Sequence, residues 1–280
     1  MESIEPESAI RKIFRVASIL ALIIVGFYVI GVGILYSEQR SMLFAGAGAP
    51  CPAWSSLPEG YRQVELRTSD GLRLKALYRP ALPGRTTLLF FHGNADSALT
   101  GVDLLAPLVA EGHGAMLVEF RGYCGNPGSP DERGLYRDGQ AAARWLGERG
   151  VTSAMLIITG YSLGTGVAAK IATEAKPAGL ILIAAYASMA QVASEHFPWV
   201  PARWLIKDQF PTIDRVRQVD APILILHGAD DSMVDPSNAI ALSRARPEAT
   251  LVMVAGEGHL IGFSDEAPRA IKAWIKRQGL

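Results

Sequence analysis

The chain has 280 residues, 49% of them hydrophobic, and its 27 basic and 27 acidic side chains cancel. Such a balance offers nucleic acid no net field, and the absence of charge runs, repeats and low-complexity tracts argues against a disordered interaction chain. Two cysteines, Cys51 and Cys124, are too few for a disulfide scaffold and stand at no metal-ligand spacing.

The first element in chain order is apolar. Val16 to Tyr36 is a run of twenty-one residues without a charge. As a helix it spans about 31 Å, enough to cross the hydrocarbon core of a bilayer. Arg11, Lys12 and Arg15 precede it, while Glu38 and Arg40 follow. The positive-inside rule then predicts residues 1–15 in the cytoplasm, 16–36 as a single-pass anchor, and everything after it on the outer, periplasmic or extracellular side. A cleaved signal peptide would carry a shorter apolar core, of about 7–15 residues. The small residues Ala45 to Ala49 also lie well past its end. Residues 37–60, with their Ala, Gly, Pro and Ser, read as a linker. Beyond the anchor, roughly 240 residues are enough for one large core without a second domain. In an oxidising compartment Cys51 could pair with Cys124. A Cα separation above about 7 Å would instead leave two free thiols.

Tyr61 to Thr68 and Leu72 to Arg79 alternate in polarity around Ser69-Asp70-Gly71, which predicts an antiparallel hairpin. Apolar runs near 86–91, 114–120, 154–159, 179–184, 222–227 and 249–254 then alternate with helical segments. Those helices fall near 98–111, 133–149, 163–175, 236–245 and 265–277. This alternation predicts an α/β domain over 61–280, with a mainly parallel sheet covered by helices on both faces.

Between the run at 154–159 and the helix from 163 lies Gly160-Tyr161-Ser162-Leu163-Gly164. A G-x-S-x-G turn between strand and helix pushes the serine hydroxyl out above the sheet edge, at the positive end of the helix. Ser162 is therefore a candidate nucleophile, and a base and an acid should follow it in the chain. Three histidines do. His227 closes an apolar run and reads as a structural strand-end residue; His196 sits in an aromatic, proline-containing stretch and reads as a lid or surface residue. His259, in Gly256-Glu257-Gly258-His259 after the run at 249–254, suits a general base that reaches across a cleft. Asp230 and Asp231 share the turn after His227, and spacing leaves the choice of acid between them open. Oxyanion donors are expected from the backbone N–H of Leu163 and from the loop His92-Gly93-Asn94-Ala95, with Asn94 favoured over Ala95. Asn94, Ser162, Asp231 and His259 all fall at the carboxyl ends of predicted strands, where ligands bind in such sheets.

With these residues the chain resembles the α/β-hydrolase superfamily, and within it the membrane-anchored serine hydrolases that include depalmitoylases and lysophospholipases. The resemblance rests on Phe91-His92-Gly93-Asn94-Ala95, Glu119-Phe120-Arg121-Gly122-Tyr123, Gly128-Ser129-Pro130, Gly160 to Gly164, His227-Gly228-Ala229-Asp230-Asp231 with Val234, and Gly258-His259. Relatives carry H-G-x-x-D-x-x-V with that aspartate as the acid, so the resemblance selects Asp231. It also departs from the pattern: Asp235 separates Val234 from Pro236, Cys124 stands where glycine is usual, and Asn126 where serine is usual. These departures bear on the cleft rim and so on substrate preference.

Residues 187–214 interrupt the alternation with Met189, Phe197, Trp199, Trp204, Phe210 and three prolines. They read either as a packing element or as a small apolar cap receiving an acyl chain. The expected protein is a membrane-anchored serine hydrolase of hydrophobic carboxylic esters or thioesters, with Ser162, Asp231 and His259 as its triad. Alternatives are an amide or peptide hydrolase on the same triad and a catalytically silent scaffold. No cofactor, metal or nucleic acid is expected.

Overall fold

The structure, a computed structural model, describes residues 6–49 and 57–280. It divides into two units, Met1–Met42 and Leu43–Leu280. The first is one helix, α1 (Pro6–Leu43), longer at both ends than the uncharged run. Its apolar side chains are exposed, and Ile10–Leu43 is long and apolar enough to cross a membrane.

The second unit is built on a sheet. Among the described residues, eight strands form it: β1 (Arg62–Arg67), β2 (Arg73–Arg79), β3 (Thr87–Phe91), β4 (Gly114–Val118), β5 (Leu156–Tyr161), β6 (Gly179–Ile183), β7 (Ile223–Gly228) and β8 (Thr250–Val254). Their order is β1-β2-β4-β3-β5-β6-β7-β8. β1 and β2 form the expected antiparallel hairpin, β2 runs antiparallel to β4, and from β4 onward every pairing is parallel. The strands of the parallel part read as continuous apolar runs because both faces are covered. Leu89, Phe91 and Ile158 point into a core under α3 (Glu132–Gly147), α4 (Gly164–Ala175) and α8 (Ser237–Ala245). Their neighbours Leu88, Phe90 and Ile157 point into a second core under α2 (Thr100–Ala110) and α9 (Glu266–Gln278). Predicted and observed elements agree to within about two residues.

Two segments differ in kind from their sequence reading. α1 runs on to Leu43, and Phe44 is 3% exposed inside the domain core. Part of the predicted linker 37–60 is thus helix, and residues 44–49 are a turn of the second unit anchored by the buried Phe44. The reason is Phe44, an aromatic side chain whose burial holds the small residues after it against the domain. The Cys51–Cys124 pairing falls on Cys51, which lies outside the described residues.

Residues 187–214 hold α5 (Met189–His196), α6 (Ala202–Leu205) and the start of α7 (Thr212–Val216). This element is bonded to its surroundings at both ends. Glu195 accepts from Asn238 Nδ2 at 3.0 Å, His196 Nε2 donates to the Met233 carbonyl at 2.9 Å, and Glu132 Oε2 accepts from the Gln209 N–H at 2.6 Å.

Candidate active site

β5 ends at a turn that only small flanking residues permit. Ser162 has φ of 48°, in the left-handed region that strains an L side chain by about 1–3 kcal/mol. A Cβ on Gly160 would strike the Gly164 carbonyl, and one on Gly164 would strike the Phe91 carbonyl. The strain is contained by hydrogen bonds: the Ser162 N–H donates to Ile183 O at 2.9 Å, and its carbonyl accepts from Thr165 N at 2.9 Å and Oγ1 at 2.6 Å. Leu163 caps α4, so its N–H is among those with no acceptor inside the helix.

His259 arrives from the far end of the sheet. Gly228, which ends β7, has no Cβ, and one there would strike the carbonyls of Glu257 and Gly258. That close approach brings the loop after β8 onto the end of β7. His259 then opens a short 3-10 helix, His259–Phe263. Its Nε2 lies 2.9 Å from Ser162 Oγ and its Nδ1 lies 2.8 Å from Asp231 Oδ2. With Nδ1–H donating to a carboxylate, Nε2 is the lone-pair nitrogen facing the hydroxyl.

Asp231 is buried and faces four donors. Its Oδ1 accepts from the backbone N–H of Met233 and of Val234, each at 2.9 Å. Its Oδ2 faces His259 and also His227 Nε2, at 3.2 Å. Burial alone would raise its pKa, but the hydrogen bonds from His227 and His259 outweigh burial and hold the carboxyl well below its usual range. Asp230 points away: its side chain is exposed and its N–H is bonded to Glu257 O.

On the other side of Ser162 stands the loop His92–Ala95. The Cβ position of Gly93 lies 3.5 Å from Ser162 Cβ, so the Gly93–Asn94 peptide is next to the serine. His92 Nδ1 donates to Gly93 O at 2.7 Å, and its Nε2 lies 3.0 Å from Glu119 Oε1 in an ion pair with no solvent exposure. Burial would lower the imidazole pKa, but the Glu119 charge overrides it and the net shift is upward. Glu119 Oε2 in turn accepts from Ala98 N at 3.0 Å.

The structure therefore brings Ser162, His259 and Asp231 into one hydrogen-bonded chain, with Leu163 following the serine and the loop that carries Asn94 meeting it at Gly93. Three further residues carry parts of the site that the sequence reading did not give them. His227 does more than end a strand: its Nε2 donates to the Val234 carbonyl at 2.9 Å and lies 3.2 Å from Asp231 Oδ2. Tyr161 donates its hydroxyl to the His259 carbonyl at 3.0 Å. Glu119 Oε1 lies 3.0 Å from His92 Nε2, beneath the loop 92–95. The apolar strand ends that hold His227 and Glu119 were a usable signal, since buried ionisable groups need partners. The left-handed φ of 47° at Cys124 explains why glycine is usual at that position.

The fold and this strand–serine–helix turn define the class of α/β-hydrolases. Comparison with known proteins agrees. A model described as the prolyl oligopeptidase family matches residues 132–278. An otherwise uncharacterised protein of Mycobacterium tuberculosis is 35% identical over 249 residues, covering 87% of each chain. The human alpha/beta hydrolase domain-containing protein 17B is 33% identical over 205 residues, covering 69% of this chain and 67% of its own. A solved esterase from Pyrococcus furiosus superposes with a TM-score of 0.64 at 16% identity, over 82% of this chain and 98% of its own. The chain belongs to the α/β-hydrolase superfamily, in the prolyl oligopeptidase family that the matching model describes.

Proposed function

We propose that this hydrolase cleaves carboxylic esters or thioesters through an acyl-enzyme, with Ser162, His259 and Asp231 as its triad. The observation that carries the reading is the continuous chain from Ser162 Oγ through both nitrogens of His259 to Asp231, at 2.9 and 2.8 Å. His259 Nε2 takes the Ser162 proton as Oγ attacks the carbonyl carbon. Asp231 stabilises the resulting imidazolium. The oxyanion of the tetrahedral intermediate is held by the amides of Leu163 and Asn94. The intermediate collapses as His259 protonates the leaving alcohol or thiol, and water repeats the sequence to release the acid and restore Ser162.

The side chains beside the triad favour an apolar acyl group: Met233 follows Asp231 in the same turn, Leu260 follows His259, and Phe263 lies against Tyr161, all three exposed. The apolar span Ile10–Leu43 supports a membrane-anchored enzyme whose N-terminus, with Arg11, Lys12 and Arg15, is cytoplasmic and whose domain lies outside. Amide or peptide cleavage is the second reading, favoured by the match to the prolyl oligopeptidase model.

A fluorophosphonate probe tests the mechanism. It should label Ser162 covalently, and Ser162→Ala should abolish labelling and cut ester turnover by up to ~10⁶-fold. A parental turnover rate in purified Ser162→Ala would refute the triad, and absence of labelling in the folded parent would favour the silent scaffold.

A further inference from the structure

Residues 44–48 have the composition of a flexible tether, yet they form a turn held at both ends and in close approach to the loop 92–95. Phe44 is buried edge-on against Phe210, with ring centroids 6.5 Å apart. The turn closes through Ala47 N to Phe44 O at 2.9 Å, and the Gly48 N–H donates to Gly122 O at 2.8 Å. Between these two fixed points lies Gly46. A Cβ there would come within 2.5 Å of the Asn94 carbonyl oxygen, 2.8 Å of Tyr123 Cε1 and 3.2 Å of Ala95 Cα. Two of those three atoms are backbone of the loop that carries the proposed oxyanion donor. Tyr123 adds a further hold on the same residue, donating its hydroxyl to Asn94 Oδ1 at 3.3 Å. On the opposite side of that loop, Gly93 rests against Ser162.

We propose that residues 44–48 are a strap that sets the position of the Asn94 amide, with Gly46 and Phe44 as positioning residues acting through the loop 92–95. This inference rests on the serine hydrolase reading above. The loop is caught between the strap and the serine turn, so a displacement of a few tenths of an ångström at Gly46 reaches Asn94 directly. Oxyanion donors work only over a narrow distance range, and a misplacement near 1 Å costs on the order of 100-fold in rate. It follows that the chain's first residues after its apolar helix belong to the catalytic machinery. Changes to the tether are then felt as changes in kcat.

The test uses the full-length chain in detergent, with a short-chain p-nitrophenyl ester and active sites counted by fluorophosphonate titration. Gly46→Ala should lower kcat per titrated site by about 10- to 100-fold while KM stays within about twofold. Its thermal unfolding should remain cooperative. A folded Gly46→Ala with parental kcat overturns the strap, as does a loss of activity explained wholly by fewer titratable sites. Where Gly46→Ala does not fold, Phe44→Leu decides, since it keeps an apolar side chain at the strap's buried end. A several-fold fall in kcat at unchanged KM supports the proposal, and parental kcat overturns it. Ser162→Ala is run in parallel. If it retains turnover, the hydrolase reading itself fails; if it is inert while the strap variants are parental, only the strap fails.

Discussion

On the proposed acid–base side of Ser162, Asp231 faces four donors and His259 is held by hydrogen bonds at both ring nitrogens and at its carbonyl. On the proposed oxyanion side, the loop 92–95 is fixed by close approach at Gly93 and Gly46 and by one buried ion pair beneath it. The first arrangement is directional and polar, so it fails one hydrogen bond at a time. The second is steric, and it fails when volume is added. Conservative polar substitutions should therefore damage the first side in graded steps, whereas single methyl groups should damage the second.

The largest effect on the polar side is expected at its acid. Asp231→Asn keeps the shape but presents the wrong partner to His259 Nδ1, and turnover should fall by about 10⁴-fold. Steady-state kinetics on a short ester checks this. A loss under tenfold would remove Asp231 from the proposed mechanism. His227 comes next. His227→Phe deletes one donor to a buried carboxylate, worth about 1.5–3 kcal/mol, and should lower kcat/KM by about tenfold or more. His227→Gln, which can return a donor from a similar position, should recover most of the loss. If Phe and Gln behave alike, His227 is packing and nothing more.

The ion pair beneath the oxyanion loop sharpens the comparison through pH. His92 is raised above its unfolded pKa of about 6.5 by Glu119. Its contribution to stability is thus fully present below about pH 6.5 and is lost as pH rises through the raised folded value. Glu119→Gln keeps an acceptor for the Ala98 N–H but removes the charge. It should cost about 3 kcal/mol near pH 6 and less at alkaline pH. Chemical denaturation of parent and variant across pH 5.5–9 would show the gap closing; a gap that widens with pH contradicts a charged His92.

The same comparison explains what the sequence made legible. The strands were readable because a parallel sheet buried on both faces needs unbroken apolar runs, as at Leu156–Tyr161 and Ile223–Gly228. Which loops carry Ser162, Asp231 and His259 was readable from chain order and glycine placement. The choice between Asp230 and Asp231 was not, because adjacent residues of one turn differ only in where they point. Tyr161, His227 and Glu119 were missed for a related reason: each hydrogen bond or ion pair they add to the site is made to a side chain or carbonyl of a distant or turned-back segment. Residues 44–49 read as part of a linker, and the structure adds that Phe44 among them is buried. Ala45-Gly46-Ala47-Gly48-Ala49 suggests flexibility, yet small residues serve equally where two backbones must approach closely. Composition does not distinguish those uses; the neighbouring Phe44 is the residue that could have.

The smallest expected effect is at the residue that touches both sides. The ring of Tyr161 lies against the Cβ position of Gly93, 3.2 Å away, and against that of Gly262, while its hydroxyl donates to the His259 carbonyl. Burial pushes its pKa upward, so the hydroxyl stays a donor through the whole working range. Tyr161→Phe removes the hydrogen bond to the His259 backbone and leaves the ring on the oxyanion loop unchanged. A neutral hydrogen bond of this kind contributes about 1 kcal/mol, which limits the expected fall in kcat/KM to about fivefold. The loss should not add to that of His227→Phe if both act by orienting the same imidazole–carboxylate pair. It should add to that of Gly46→Ala, which acts on the opposite side of the serine. A double-mutant cycle over these three positions therefore separates the two supports: coupling between Tyr161 and Gly46 as strong as that between Tyr161 and His227 would mean that the polar and steric sides are one mechanical unit.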